Sequence, residues 1–317
     1  MPSSRSPELV VVGAGPMGRD HVRAALACGL APEAIEVVAL GPERARRLAE
    51  ETGVGWRAGG VAALAEPPPA AVVAVPVLEL AGAARELGEL GCPYVLLEKP
   101  GALSAAELRQ LDGAAVFVAY NRRFYRSVDE TRRLVEADGG PLTASFDFTE
   151  IEDRVLAEGF PPDVLGRWGL VNSTHVIDLF RHLAGAPVRL EAERAGGLAW
   201  HPAGSEYAGS GKTDRGALFS YLASWGGAGR WSVEVTTSER KLILRPLEEL
   251  HVQRKGTFAV ERVELEREPP GVKPGLHGQL LAFLAAAAGA EADPRLCTLD
   301  DAADLLDLAS RILGYAS

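Results

Sequence analysis

Six consecutive residues near the start of the chain have the plainest chemical reading: Gly13-Ala14-Gly15-Pro16-Met17-Gly18. Glycines at this spacing serve a pyrophosphate. Gly13 permits a tight turn, Gly15 lets backbone approach the phosphates, and Gly18 lets a helix pack closely on a strand. Pro16 and Met17 open that helix, whose free N–H groups and positive end suit an anion. The turn directly follows Leu9-Val10-Val11-Val12, a continuous apolar run of the kind found in strands buried on both faces. Strand, glycine turn and helix in that order predict binding of a dinucleotide, NAD(P)(H).

The ribose end is read further along. A strand ending in Asp or Glu about 20 residues on would accept from a 2′-hydroxyl. Here the second apolar run ends Leu40-Gly41-Pro42-Glu43-Arg44, so glycine stands where the acid is expected. Arg44 is placed to meet a 2′-phosphate; beside Arg46 and Arg47 it equally fits a solvated helix face. The balance slightly favours NADP.

These residues must be positioned by a scaffold, and the first third of the chain spells one out. Strand-like runs at 9–12, 35–40, 70–75, 94–97 and 116–119 alternate with helical segments at 16–28, 42–52 and 78–90. Ser104 with Glu107 three residues on forms a capping box for a further helix. The alternation predicts an α/β domain with a doubly wound parallel sheet. Beyond about residue 120 the strands lengthen and alternate apolar with polar, at 144–151, 217–225, 230–237 and 242–244, among helices at 125–137, 172–183, 276–288 and 299–313. That is an α+β domain with a predominantly antiparallel, open sheet. The expected division is 1–120 and 121–317, with the last helix free to pack on either domain. In the second sheet Phe219, Tyr221 and Trp225 share one face, and Leu218, Ser220 and Leu222 the other. Apolar groups on both faces predict a homodimer or homotetramer through this sheet.

Composition bounds the function. With 317 residues, 47% of them hydrophobic, the chain has material for two folded domains. A net charge of -10 and no basic stripe argue against nucleic acid and anionic membranes as partners. The longest apolar stretch, 280–290, is too short to span a bilayer. The chain opens on a strand rather than a secretory leader. Cys28, Cys92 and Cys297 are far apart and lack metal-ligand spacing, which predicts reduced thiols, no metal site and a cytoplasmic protein.

Four segments together resemble the glucose-fructose oxidoreductase / inositol dehydrogenase / MocA family: Gly13 to Gly18 with His21 beyond, Glu98-Lys99-Pro100 after a buried run, Tyr120-Asn121-Arg122-Arg123-Phe124 at the domain junction, and His175-Val176-Ile177-Asp178 followed by Leu183-Ala184-Gly185. The resemblance implies a Rossmann domain and hydride transfer between nicotinamide and a hydroxyl- or carbonyl-bearing carbon of a sugar, cyclitol or similar polar molecule. It implies Lys99 and His175 as catalytic residues. It places Val75, Pro76, Glu98 and Lys99 at the cofactor, and Tyr120, Arg122, Trp168, Asn172 and His175 at the substrate. The chemistry is coherent on its own. Alcohol oxidation needs a proton acceptor beside the hydride acceptor; a lysine partly desolvated next to a cationic ring, or a histidine, can serve.

The chain departs from the family in two places. The aspartate four residues before the histidine is Val171 here, followed by Asn172, which cannot exchange protons. The Thr-Pro-Asn-x-x-His motif reads Val75-Pro76-Val77-Leu78-Glu79-Leu80. Two other readings therefore stand: transient redox with elimination, as in NAD-dependent glycosidases, and a non-catalytic dinucleotide sensor. Glu150, Glu152 and Asp153 read as a solvated acidic loop or as an attraction for an amino sugar or aminocyclitol. Arg167 and Trp168 read as pocket walls or as packing.

Overall fold

The computed structural model describes residues 7–315, in two compact units. One runs to Phe124 and takes in Glu268–Asp304; the other comprises Tyr125–Arg267 and the chain from Leu305.

The first unit is a parallel sheet of β1 (Leu9–Val12), β2 (Ile35–Ala39), β3 (Gly55–Ala58), β4 (Ala71–Val73), β5 (Tyr94–Leu97) and β6 (Ala115–Val118). Their order is β3-β2-β1-β4-β5-β6, the doubly wound arrangement that reverses direction between β1 and β4. Every residue of β1 is buried, which is why its sequence is an unbroken apolar run. The connections are α1 (Pro16–Ala27), α2 (Pro42–Thr52), α3 (Leu80–Leu90) and the one-turn α4 (Ala105–Leu108). Ser104 caps α4 as its sequence predicts, its hydroxyl accepting from the Glu107 N–H at 3.2 Å.

The division at residue 120 differs from what is observed. Helix Leu276–Ala287 puts Leu280, Phe283 and Ala286 into the core that β1, β2 and α1 share. Phe283 meets Phe117 of β6 edge-on, with centroids 6.4 Å apart. Cys297–Thr298 then adds an antiparallel edge strand to β6. These residues return because helices and an edge strand are needed to cover a sheet that is apolar on both faces.

The second unit is an eight-stranded sheet built from β7 (Thr143–Asp147), β8 (Pro187–Ala195), β9 (Glu206–Thr213), β10 (Leu218–Ser224), β11 (Ser232–Thr236), β12 (Arg240–Leu244), β13 (His251–Arg254) and β14 (Val260–Arg262). The order is β14-β13-β12-β11-β7-β10-β9-β8; β7 and β10 are parallel and all other pairs antiparallel. Four helices belong to this region: α5 (Arg126–Ala137), α6 (Glu152–Ala157), α7 (Pro162–Leu165) and α8 (Thr174–Ala184). Helix α8 packs on one face, where Phe180 stacks on Phe146 at 4.7 Å and meets Phe219 at 4.8 Å. On the other face Leu218 and Leu222 are 54% and 66% exposed. Strand β7 is shorter than the predicted 144–151, because the Asp147 carboxylate accepts from the Thr149 N–H at 2.8 Å and turns the chain out of the ladder.

Strand β9 lies under aromatic rings. Tyr221 of β10 faces Gly209, and Phe219 faces Gly211. A Cβ on Gly211 would collide with the Arg189 carbonyl and come within 2.7 Å of the Phe219 ring. Gly211→Ala should therefore lower stability by about 1–3 kcal/mol through overpacking. Ser210→Ala, on the exposed face, should change it by less than about 0.5 kcal/mol. Urea unfolding of the two variants checks this; equal midpoints would contradict it.

Candidate functional site

In the first unit the candidate residues lie at the carboxyl edge of the sheet. Backbone pairing continues past the strand ends. The Gly13 N–H donates to Val38, the Ala74 N–H to Val12, and the Glu98 N–H to Val73, at 2.7–2.9 Å. The loops after β1, β4 and β5 thus stay in register. Gly13 has φ of +113°, and a Cβ there would collide with the Ala74 carbonyl; a Cβ on Gly18 would collide with the Gly13 carbonyl. At Gly15, in contrast, nothing lies within 4 Å of where a Cβ would point. Gly15 is the extended N-cap of α1, Pro16 is its first residue, and no side chain caps its N–H groups. An open cradle against an uncapped helix start fits a pyrophosphate.

At the end of β2, Leu40 and Gly41 are exposed and Arg44 projects from the first turn of α2. Arg46 pairs with Glu50 at 3.7 Å, whereas Arg44 has no ion pair among the described residues. Half-buried Val75 and exposed Pro76 follow β4.

Glu98 and Lys99 follow β5. Glu98 is buried, and its two oxygens are both engaged within this unit: Oε1 pairs with His21 Nε2 of α1 at 2.7 Å, and Oε2 accepts from the Lys99 N–H at 3.2 Å. Glu98, expected at the cofactor, is thus the tie that binds the Lys99 loop to α1. Lys99 itself is half-buried. Tyr120 is fully buried; Arg122 is half-buried on the Asn121–Phe124 turn, which Asn121 fastens by donating to the Pro274 carbonyl at 2.9 Å.

In the second unit the candidates gather on the segment leading into α8. Trp168 is buried against Phe160. Gly169–Ser173 forms a π-helical turn, a form that recurs at functional sites. Val171 is buried and Asn172 half-buried. One turn on, His175 is buried with the Trp231 ring 6.2 Å away, and Asp178 is buried behind it. Lys99 and His175 belong to different units.

Three features escape a sequence reading. Glu150 is not part of a solvated loop: it is 5% exposed, and it accepts from Asn172 Nδ2 at 3.0 Å and from the Ser173 hydroxyl at 2.7 Å. Strand β7 ends at Asp147, so strand alternation does not place Glu150; its partners Asn172 and Ser173, and not the pleat, mark it as buried, and the neighbouring acids suggest a solvated loop. Of those, Glu152 accepts from Trp200 Nε1 at 2.8 Å. The second feature is a relay behind the π turn. The Gly169 N–H donates to the Tyr315 hydroxyl at 3.0 Å, which lies 2.7 Å from His201 Nε2; His201 Nδ1 lies 2.9 Å from the Gly204 carbonyl. Because Gly204 offers only an acceptor, Nδ1 carries the proton and Nε2 accepts from Tyr315. The third is the His21–Glu98 pair.

Residues 8–116 match the Gfo/Idh/MocA family, described as an oxidoreductase family with an NAD-binding Rossmann fold. That match lies within the first unit and identifies an NAD-binding Rossmann fold there. No curated protein matches it. Among solved structures, UDP-N-acetylglucosamine 3-dehydrogenase GnnA from Acidithiobacillus ferrooxidans is 20% identical with a TM-score of 0.76, covering 96% of this chain and 95% of that one. Levoglucosan dehydrogenase in complex with NADH and levoglucosan is 19% identical with a TM-score of 0.78, covering 98% and 96%. An oxidoreductase from Agrobacterium radiobacter in complex with NAD+, L-tartaric acid and magnesium is 13% identical with a TM-score of 0.79, covering 98% and 97%. These likenesses establish the fold across both units. No helix among the described residues is long and apolar enough to cross a membrane.

Burial holds the His201 imidazolium below its ordinary pKa of 6.5. The folded state therefore binds fewer protons than the unfolded chain as pH falls through 6.5, so this contribution to stability is present above that value and lost below it. The urea midpoint should fall between about pH 7.5 and about pH 5.5, and fall less in His201→Gln. An equal fall in both proteins would contradict the relay.

Proposed function

We propose that the chain transfers a hydride between NAD(P) and a hydroxyl- or carbonyl-bearing carbon of a sugar, cyclitol or related polar substrate. The observation that carries this is the alignment of three loops at one sheet edge. The open glycine turn follows β1, Val75-Pro76 follows β4 and Lys99 follows β5. A dinucleotide with its pyrophosphate on Gly15 and α1 would run toward Lys99, two strands or roughly 10 Å away. The structural neighbours named for levoglucosan and UDP-N-acetylglucosamine support a sugar as substrate.

The bound nicotinamide supplies the hydride acceptor or donor. In the oxidative direction neutral Lys99 takes the hydroxyl proton at Nζ as the C–H bond breaks, and the C–O bond becomes a carbonyl. Glu98 holds the Lys99 backbone through the Lys99 N–H and anchors that loop to His21. His175 is the second proton-transfer group, and Asn172, one turn before it, holds a substrate hydroxyl. Tyr120, Arg122 and Trp168 are the further substrate-binding residues of this reading. Half-buried Cys28 and buried Cys92, with thiol pKa values pushed up to about 11, fit reduced, unreactive thiols in the cytoplasm.

A panel of hexoses, inositols and UDP-sugars with NAD+ and NADP+ tests the reaction. On the best substrate Lys99→Ala should lower kcat by roughly 10²–10⁴, with little change in cofactor affinity. Wild-type kcat in this variant would remove Lys99 from the mechanism.

Arg44, with no ion pair among the described residues, and the exposed Gly41 favour NADP(H). Arg44→Ala should weaken NADPH more than NADH in fluorescence titrations. A strong wild-type preference for NADH would refute this reading.

The exposed Leu218 and Leu222 face supports a homodimer or homotetramer through the second sheet. Light scattering at micromolar concentration should give a multiple of the chain mass, and Leu222→Asp should reduce it. A wild-type monomer would contradict this assembly.

A further inference from the structure

We infer that Glu150 fixes the orientation of the Asn172 side-chain amide, so that Asn172 presents its carbonyl oxygen to substrate and selects a neutral hydroxyl there over an anionic group. The inference rests on the proposed placement of Asn172 at the substrate. What it adds is a positioning residue and the chemical sense of the contact.

The geometry allows one orientation. An ionised carboxylate accepts hydrogen bonds and cannot donate them. Asn172 Nδ2 lies 3.0 Å from Glu150 Oε2 and 3.3 Å from Oε1. Rotating the amide by half a turn would set a carbonyl oxygen against the carboxylate with no proton between them. The Ser173 hydroxyl donates to Oε1 at 2.7 Å and holds the carboxylate in place from the next residue. Glu150 is buried, so this repulsion would act in a medium that screens it poorly.

With its amino end committed, Asn172 has its carbonyl oxygen left to offer. Oδ1 makes no hydrogen bond among the described residues, and the residue is half-buried, not enclosed. Asn172 and His175 are one turn apart at the start of α8. A polyol hydroxyl can donate to Oδ1. A carboxylate or phosphate would bring lone pairs against Oδ1, with the Glu150 charge behind it.

Exchanging the two side-chain chemistries tests this. Asn172→Asp places two carboxylates in contact. Glu150→Gln with Asn172→Asp restores one amide donor and one carboxylate acceptor with the polarity reversed. On the best neutral sugar from the panel, N172D should lose about tenfold or more in kcat/KM near pH 8, chiefly through KM. Part of the loss should return at lower pH, where one carboxyl is protonated. The double variant should recover to within about threefold of wild type. Wild type should also prefer the neutral sugar to its uronic acid. Melting gives a readout that needs no substrate. The N172D Tm should fall relative to wild type as pH rises from about 5 to about 8, because the folded pair retains a proton that the unfolded chain releases. The double variant should not show that fall.

An N172D enzyme with wild-type kinetics would overturn the inference. So would a double variant no better than N172D, or a preference for the uronic acid. If wild type turns over nothing in the panel, the proposed function and the substrate clause fall together. The melting comparison then decides the amide orientation alone.

Discussion

The first unit depends on a contact that no side chain could survive. The turn after β1 lies against the loop after β4 so closely that a Cβ on Gly13 would meet the Ala74 carbonyl, and α1 lies against that turn so closely that a Cβ on Gly18 would meet the Gly13 carbonyl. This compression is local. Gly15, between the two, faces open space. One stretch of six residues thus packs the helix start tightly against the sheet and leaves open space in front of Gly15. The extended ladder from Gly13 to Val38, Ala74 to Val12 and Glu98 to Val73 runs across the sheet edge to Lys99. The His21–Glu98 pair closes the circuit by tying the Lys99 loop back to α1.

The second unit solves a different problem, which is to hold polar groups in place on a sheet otherwise filled by aromatic rings. The π turn at Gly169–Ser173 begins with a backbone N–H that takes a side-chain partner. That partner of the Gly169 N–H is Tyr315, itself held by His201. Glu150 collects the side chains of Asn172 and Ser173 from the other end of the same turn. The segment carrying Asn172 and leading into His175 is thereby clamped at both ends by buried polar partners. Such networks specify a geometry only when each member is satisfied, which is why loss of one partner should be felt along the turn.

Much of this was legible in the residues. Unbroken apolar runs marked the parallel strands, the glycine spacing marked the turn, and Ser104 with Glu107 marked a cap. The missed parts share physical causes. Strand β9 reads as a loop because Gly209 and Gly211 interrupt its pattern; those glycines exist to seat Tyr221 and Phe219 from the neighbouring strand, a fact only pairing reveals. Strand β3 is an exposed edge with little apolar signal. The return of Glu268–Asp304 to the first unit depends on which surface those helices cover, and periodicity records that a face is apolar without naming its partner. His201 and Tyr315 are 114 positions apart and carry no motif. Glu150 lies past the end of β7, where strand alternation no longer applies, and Glu152 and Asp153 beside it suggest a solvated loop.

The open space at Gly15 and the uncapped start of α1 are proposed to receive a dinucleotide. The most direct measurement is a titration of NADH and NADPH into wild type and Gly15→Val, followed by nucleotide fluorescence, with circular dichroism to show that both proteins are folded. Binding should be saturable in wild type and lost in a folded Gly15→Val, whose side chain would occupy the pyrophosphate's place. Equal affinity in the two proteins would contradict the proposal.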